Sequence, residues 1–184
     1  MTTYVAFLRG VNLGAQRAVA MPRLVELGEG LGYADVWTYL RTGNLVLTTD
    51  HAAATVEREL ERVLQEEYGA HVDVTVRTAA QLRSVLDANP FPDGSASRVT
   101  VAFLAADPPP GVEERLAQAA TEAEPYVVRG REIWVHYGAG LASSRLATRF
   151  IRLVGVSATT RTVGTVRALV TKLEGRSAAH PDEG

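Results

Sequence analysis

Apolar residues along this chain recur in two arrangements, short runs of strand type and sets at helical spacing. Residues 3–8, Thr-Tyr-Val-Ala-Phe-Leu, predict a strand that stops at Arg9-Gly10. Met21, Leu24, Leu27 and Leu31 follow at helical spacing, with Pro22 tolerable in the first turn. β-Branched and aromatic runs over residues 36–40 and 45–48 are joined by Arg41-Thr42-Gly43-Asn44, a hairpin by its turn chemistry. Val56, Leu60, Val63 and Leu64 mark a second helix ending near Tyr68-Gly69, and residues 72–76 alternate as a strand. The resulting order, β-α-β-β-α-β, is that of the ferredoxin-like unit.

A similar cycle then begins. Leu82, Val85 and Leu86 lie on a short helix closed by the breaker run Asn89-Pro90-Phe91-Pro92-Asp93-Gly94. Residues 99–104 read as a strand, and Pro108-Pro109-Pro110 stiffens the turn into a helix through Val112 and Leu116. Residues 126–128 and 133–135 form a hairpin about Arg129-Gly130-Arg131, followed by helices near residues 145–154 and 163–173. The second cycle is therefore β-α-β-β-α, with a helix where the last strand is expected. The expected fold class is α+β: tandem ferredoxin-like (α/β-plait) domains with antiparallel sheets, the second one variant. The first domain covers residues 1–77 and the second 78–174, with residues 175–184 a flexible tail.

Composition narrows the chemistry. Of the 184 residues 46% are hydrophobic, which suits a folded core rather than disorder. No apolar run approaches the roughly 18–20 residues that span a bilayer, and Met1-Thr2-Thr3-Tyr4 does not open a signal peptide. The expectation is a soluble cytoplasmic protein without a membrane partner. With no cysteine, thiolate metal sites, disulfides and thiol catalysis are excluded. Eighteen of the nineteen basic residues are arginine, Lys172 being the exception. A GC-rich genome accounts for such a bias, although arginine also binds carboxylate and phosphate bidentately. The net charge of −2 is unevenly distributed: residues 50–124 sum to −8 and residues 125–184 to +5.

In the expected first sheet, the end of the first strand lies beside the starts of the third and fourth. This gathers residues 9–14, 41–44 and 69–71 on one rim. Arg9 and Arg41 supply fork-shaped donors, Asn12 and Asn44 supply amides, and Gly14 and Gly43 expose backbone, with Thr42 between. Such a rim suits an anionic ligand. Turn chemistry alone also explains the glycines and asparagines.

These residues resemble a known family. The segment Tyr4-Val5-Ala6-Phe7-Leu8-Arg9-Gly10-Val11-Asn12-Leu13-Gly14, then Met21 and Leu24, then Val36-Trp37-Thr38-Tyr39-Leu40-Arg41-Thr42-Gly43-Asn44, is similar to the bacterial family called domain of unknown function 1697. Ser143-Ser144-Arg145-Leu146, Leu153-Val154-Gly155, Thr159-Thr160-Arg161 and Thr165-Val166 extend the likeness. The resemblance implies a bacterial protein of two α/β-plait domains and brings no activity. Ala15 stands where the family has a second glycine, Thr42 where it has serine, and Thr162-Val163 where it has Asn-Trp. The last departure weakens a role for the loop around Arg161.

The basic end carries a second set of anion candidates. Arg145, Arg149 and Arg152 share one face of the expected helix, opposite Leu146, Phe150 and Leu153. Such a stripe pairs with acidic residues across a domain interface, stays solvated, or binds phosphates and nucleic acid. Gly138-Ala139-Gly140-Leu141-Ala142-Ser143-Ser144 imitates a dinucleotide-binding loop. That reading fails because Ser143 occupies the third glycine position and no acidic residue lies between residues 133 and 173. Ser143 or Ser144 capping the helix, with weak anion affinity at its free N–H groups, remains.

His51, His71, His136 and His180 show no metal-ligand spacing, and no nucleophile elbow or Walker loop occurs. Neither a metal nor a cofactor is expected. Glu57, Glu59, Glu61, Glu66 and Glu67 read as solvated charge on one helix. The sequence thus favours a protein of unassigned activity that binds an anionic ligand at the Arg9/Arg41 rim or an interdomain cleft. One alternative is an enzyme on a small phosphorylated or carboxylated substrate at that rim, with His71 as its base. The other is a nucleic-acid-binding protein using the arginine-rich end. The catalytic residues, ligand and oligomeric state are not legible.

Overall fold

β1 (Thr2–Leu8) is flanked on both sides by strands that run antiparallel to it. The structure is a computed structural model and describes residues 1–12 and 18–179. It divides into two compact units, Met1–Ala79 and Ala80–Gly184. Each is built on a four-stranded antiparallel sheet, and with six α-helices among the described residues the fold is α+β. No helix among those residues is long and apolar enough to cross a membrane.

The first unit continues with α1 (Met21–Gly30), β2 (Ala34–Thr38), β3 (Asn44–Thr49), α2 (Ala53–Tyr68) and β4 (Val74–Thr78). Its sheet order is β2-β3-β1-β4. Tyr4, Ala6 and Leu8 project to one face at the strand period of two. There they pack with Leu45, Leu47, Val74 and Val76 against Leu24 of α1 and Val56, Leu60 and Leu64 of α2. Each buried leucine contributes about 1.5–3 kcal/mol of transfer free energy. Val5 and Phe7, on the opposite face, are also fully buried. Burial on both faces is why β1 reads as a continuous apolar run rather than an alternation. α2 stops at Gly69, whose left-handed φ of 67° lets its N–H reach the Gln65 carbonyl.

α3 (Ala79–Asp87) starts at the unit boundary and is followed by β5 (Val99–Leu104), α4 (Val112–Ala117), β6 (Tyr126–Arg129) and β7 (Glu132–His136). A 3-10 turn at Leu141–Ser143 precedes α5 (Arg145–Val154), β8 (Ala158–Thr162) and α6 (Val163–Ala179). The sheet order β6-β7-β5-β8 repeats that of the first unit. The helical face buries Ala102, Leu104, Ile133 and Val135 with Leu116, Leu146, Phe150 and Val154.

Two expectations need correction here. The last strand of the second cycle is present: β8 pairs with β5 from Thr100↔Thr162 to Leu104↔Ala158. Ala-Thr-Thr-Arg-Thr lacks an apolar alternation, but its threonines are β-branched and fit a pleated surface. α6 also runs through Ala179, into the segment expected to be a frayed tail. Arg176, Ser177, Ala178 and Ala179 oppose no helix, and the next breaker is Pro181.

The units repeat in sequence as well as in strand order. Val5-Ala6-Phe7-Leu8 of β1 recurs as Val101-Ala102-Phe103-Leu104 of β5. Val-Thr-Val-Arg-Thr of β4 matches Ala-Thr-Thr-Arg-Thr of β8. Arg77 and Arg161 hold corresponding positions, opposite Val5 and Val101. Each donates from Nη1 to the carbonyl of the preceding residue at 2.9 Å.

Candidate functional site

The rim of the first unit assembles as its strand order requires. Leu8 N–H donates to the Gly43 carbonyl at 2.8 Å and Arg9 N–H to the Asp73 carbonyl at 3.0 Å, so the three loops meet. The polar groups there are committed to holding that corner. Asn12, at φ 56°, donates from Nδ2 to the carbonyls of Val19 (3.0 Å) and Arg41 (2.7 Å) and accepts the Val19 N–H (2.8 Å). The fully buried Asn44 donates to the Tyr39 carbonyl at 2.7 Å and to Thr42 Oγ1 at 3.1 Å. Arg9 Nη1 pairs with Asp73 Oδ2 at 2.8 Å. Arg41 is exposed and its side chain has no hydrogen-bond or ion-pair partner among the described residues. Gly14 lies outside the described residues. The rim is thus an interlocked corner with one outward guanidinium.

The second set of candidates opens onto empty space. Ser144 is the N-cap of α5, accepting the Ala147 N–H at 2.9 Å, while Ser143 donates to the Ala139 and Gly140 carbonyls at 3.2 Å. Ser144 also donates to the carboxylate of Glu124, which is buried and accepts from Thr121 N–H and Oγ1 at 3.2 and 3.0 Å. Ser143, Ser144, Arg145 and Arg149 line a cavity of about 550 Å³ together with Thr121 and Glu124. The same four residues line a second cavity of about 210 Å³ with Thr148. Arg145 and Arg149 are exposed, one helical turn apart, and have no partner among the described residues. Leu146, Phe150 and Val154 on the other face are buried and fix the direction of the stripe. Burial raises the Tyr137 phenol above its ordinary range, and the Glu124 charge adds to this.

Arg161 does not join this group. It stands on β8 and lines neither cavity, and burial pushes its guanidinium down to about 10.

A model of the family described as "Protein of unknown function (DUF1697)" matches residues 1–134. The chain belongs to that family. Its match ends within β7, so in this DUF1697 protein Thr121 and Glu124 of the α5 cavity lie inside the matched segment and Ser143, Ser144, Arg145 and Arg149 beyond it. Among solved structures, the conserved bacterial protein SP0830 from Streptococcus pneumoniae is similar, with a TM-score of 0.69 and 19% identity. The alignment covers 92% of this chain and 97% of that one. At that identity the likeness shows the fold alone. No curated protein matches.

Two features of this DUF1697 chain escaped the sequence reading. The α2 glutamates are not simply solvated: Glu57 and Glu61 accept the Val76 and Val74 N–H groups at 2.9 and 3.0 Å. Glu59 accepts from Tyr33 Oη at 2.6 Å, while Glu66 pairs with Arg62 and Glu67 with Arg23. The turn between α2 and β4 also brings Glu61, His71 and Asp73 together, with one ligand atom from each within 4.8 Å of the others. The signal for the second was His71-Val72-Asp73, where spacing by two puts both side chains on one side of an extended segment.

Proposed function

We propose that this protein binds a small carboxylated or phosphorylated molecule in the second unit, at the cavity where α5 begins. One observation carries the reading: Arg145 and Arg149 stand one turn apart at a cavity of about 550 Å³, and neither is neutralised among the described residues. That volume falls within the roughly 300–1,000 Å³ of small-molecule sites. Two guanidiniums match the paired oxygens of a carboxylate or phosphate, and the positive end of α5 adds to their field. Glu124, held by Ser144 and Thr121, supplies an acceptor inside the same cavity for a hydroxyl or amine of the ligand. The Arg9/Arg41 rim is the weaker candidate because its amides and Arg9 already have partners.

The identical strand orders and the internal sequence repeat support reading the units as tandem ferredoxin-like domains. The binding reading is tested by thermal shift against inorganic phosphate and a panel of phosphate monoesters and carboxylates. Stabilisation that disappears in Arg145→Ala/Arg149→Ala, and persists in Arg152→Ala on the next turn, is expected. Stabilisation unchanged by the double substitution, or none with any probe, refutes it.

A further inference from the structure

We propose that Glu61, His71 and Asp73 form a binding site for a divalent first-row transition metal, with zinc as its probe. One imidazole and two carboxylates are a donor set that such ions accept. His71 Nε2 lies 3.2 Å from Asp73 Oδ1. Donors around a tetrahedral zinc at about 2.0–2.1 Å stand about 3.3 Å apart, so this pair needs little rearrangement. The third donor, from Glu61, lies within 4.8 Å of both and needs a side-chain adjustment.

Groups outside the set orient both carboxylates. Arg9 Nη1 holds Asp73 Oδ2 at 2.8 Å and leaves Oδ1 toward His71. The Val74 N–H holds Glu61 Oε1 at 3.0 Å. Outer contacts of this kind fix ligand carboxylates in metal sites. The two backbone segments are themselves anchored, because Val72, Val74, Leu60 and Leu64 are buried in the first core. Glu61 and His71 also line a shallow cavity of about 450 Å³, where water or a substrate atom completes the coordination.

The test is calorimetric titration of the chelator-stripped full chain with zinc chloride. One saturable site per chain is expected, with a pink-to-blue absorption band on cobalt substitution. His71→Ala should weaken zinc by more than about 100-fold, beyond the 10–100-fold that loss of an outer-shell contact brings. Glu61→Gln keeps an acceptor for the Val74 N–H, so it should weaken zinc while its melting temperature in chelator stays that of the parent. His51→Ala, beside Glu59 on the same unit, should leave affinity unchanged. No saturable zinc binding, or binding that survives both His71→Ala and Glu61→Gln, overturns the proposal.

Discussion

The Glu57 carboxylate accepts the Val76 backbone N–H at 2.9 Å, and one helical turn later Glu61 does the same for Val74 at 3.0 Å. The match is geometric. Four helical residues advance about 6 Å and two strand residues about 6.6 Å, so glutamates at i and i+4 meet alternate outward N–H groups of β4. β4 is an edge of its sheet, and an unpaired edge is a template for association. Glu57→Ala with Glu61→Ala should cost about 1–3 kcal/mol for each bond in urea denaturation. The double variant should also show concentration-dependent association by light scattering. Parental stability would mean that the contacts are incidental.

Gly43 and Gly69 both sit in the left-handed region, at φ 75° and 67°, but their surroundings differ. A Cβ at Gly43 would clash with Val11 Cγ2 and meet Leu8 Cβ at 2.9 Å, whereas one at Gly69 meets nothing within 4 Å. Gly43→Ala should therefore lose about 2–5 kcal/mol, combining backbone strain with overpacking. Gly69→Ala should lose only about 1 kcal/mol. Chemical denaturation of the two variants compares them directly, and equal losses would contradict the packing around Gly43.

Tyr33 donates to Glu59 at 2.6 Å and is buried. The bond from Tyr33, aided by His51, holds the Glu59 carboxyl below the ordinary value of 4.5. A depressed carboxyl stabilises the fold above its unfolded value, and this contribution is lost as pH falls through the folded one. Burial, then the bond to Glu59, raises the Tyr33 phenol, so its contribution holds below pH 10 and is lost at higher pH. The parent should lose melting temperature more steeply than Tyr33→Phe as pH falls below 4.5. Parallel curves would show that the bond does not couple to folding.

Long elements with clear periodicity were legible: Val56, Leu60 and Leu64 declared α2, and Leu146 with Phe150 declared α5. β8 was not, because Thr159 and Thr160 carry the strand by β-branching rather than by apolar alternation. The loops of the rim could be placed together from strand order. Their commitments could not, since the bonds of Asn12 to Arg41 and Val19 depend on a turn geometry that residue types do not encode. Glu61 lies ten residues before His71 across a turn, so their proximity is a product of how α2 returns to β4. Arg145 and Arg149 were legible as a stripe, whereas the cavity beside them needed Glu124 and Thr121 from the turn before β6.

The central claim concerns the cavity at the start of α5. Phosphate titration of the ¹⁵N-labelled full chain, followed by amide chemical shifts, locates binding residue by residue. Saturable shifts concentrated over residues 121–124 and 140–149, absent in Arg145→Ala/Arg149→Ala, are the predicted result. Saturable shifts confined to residues 41–44 of the first unit, or none at either place, would contradict it.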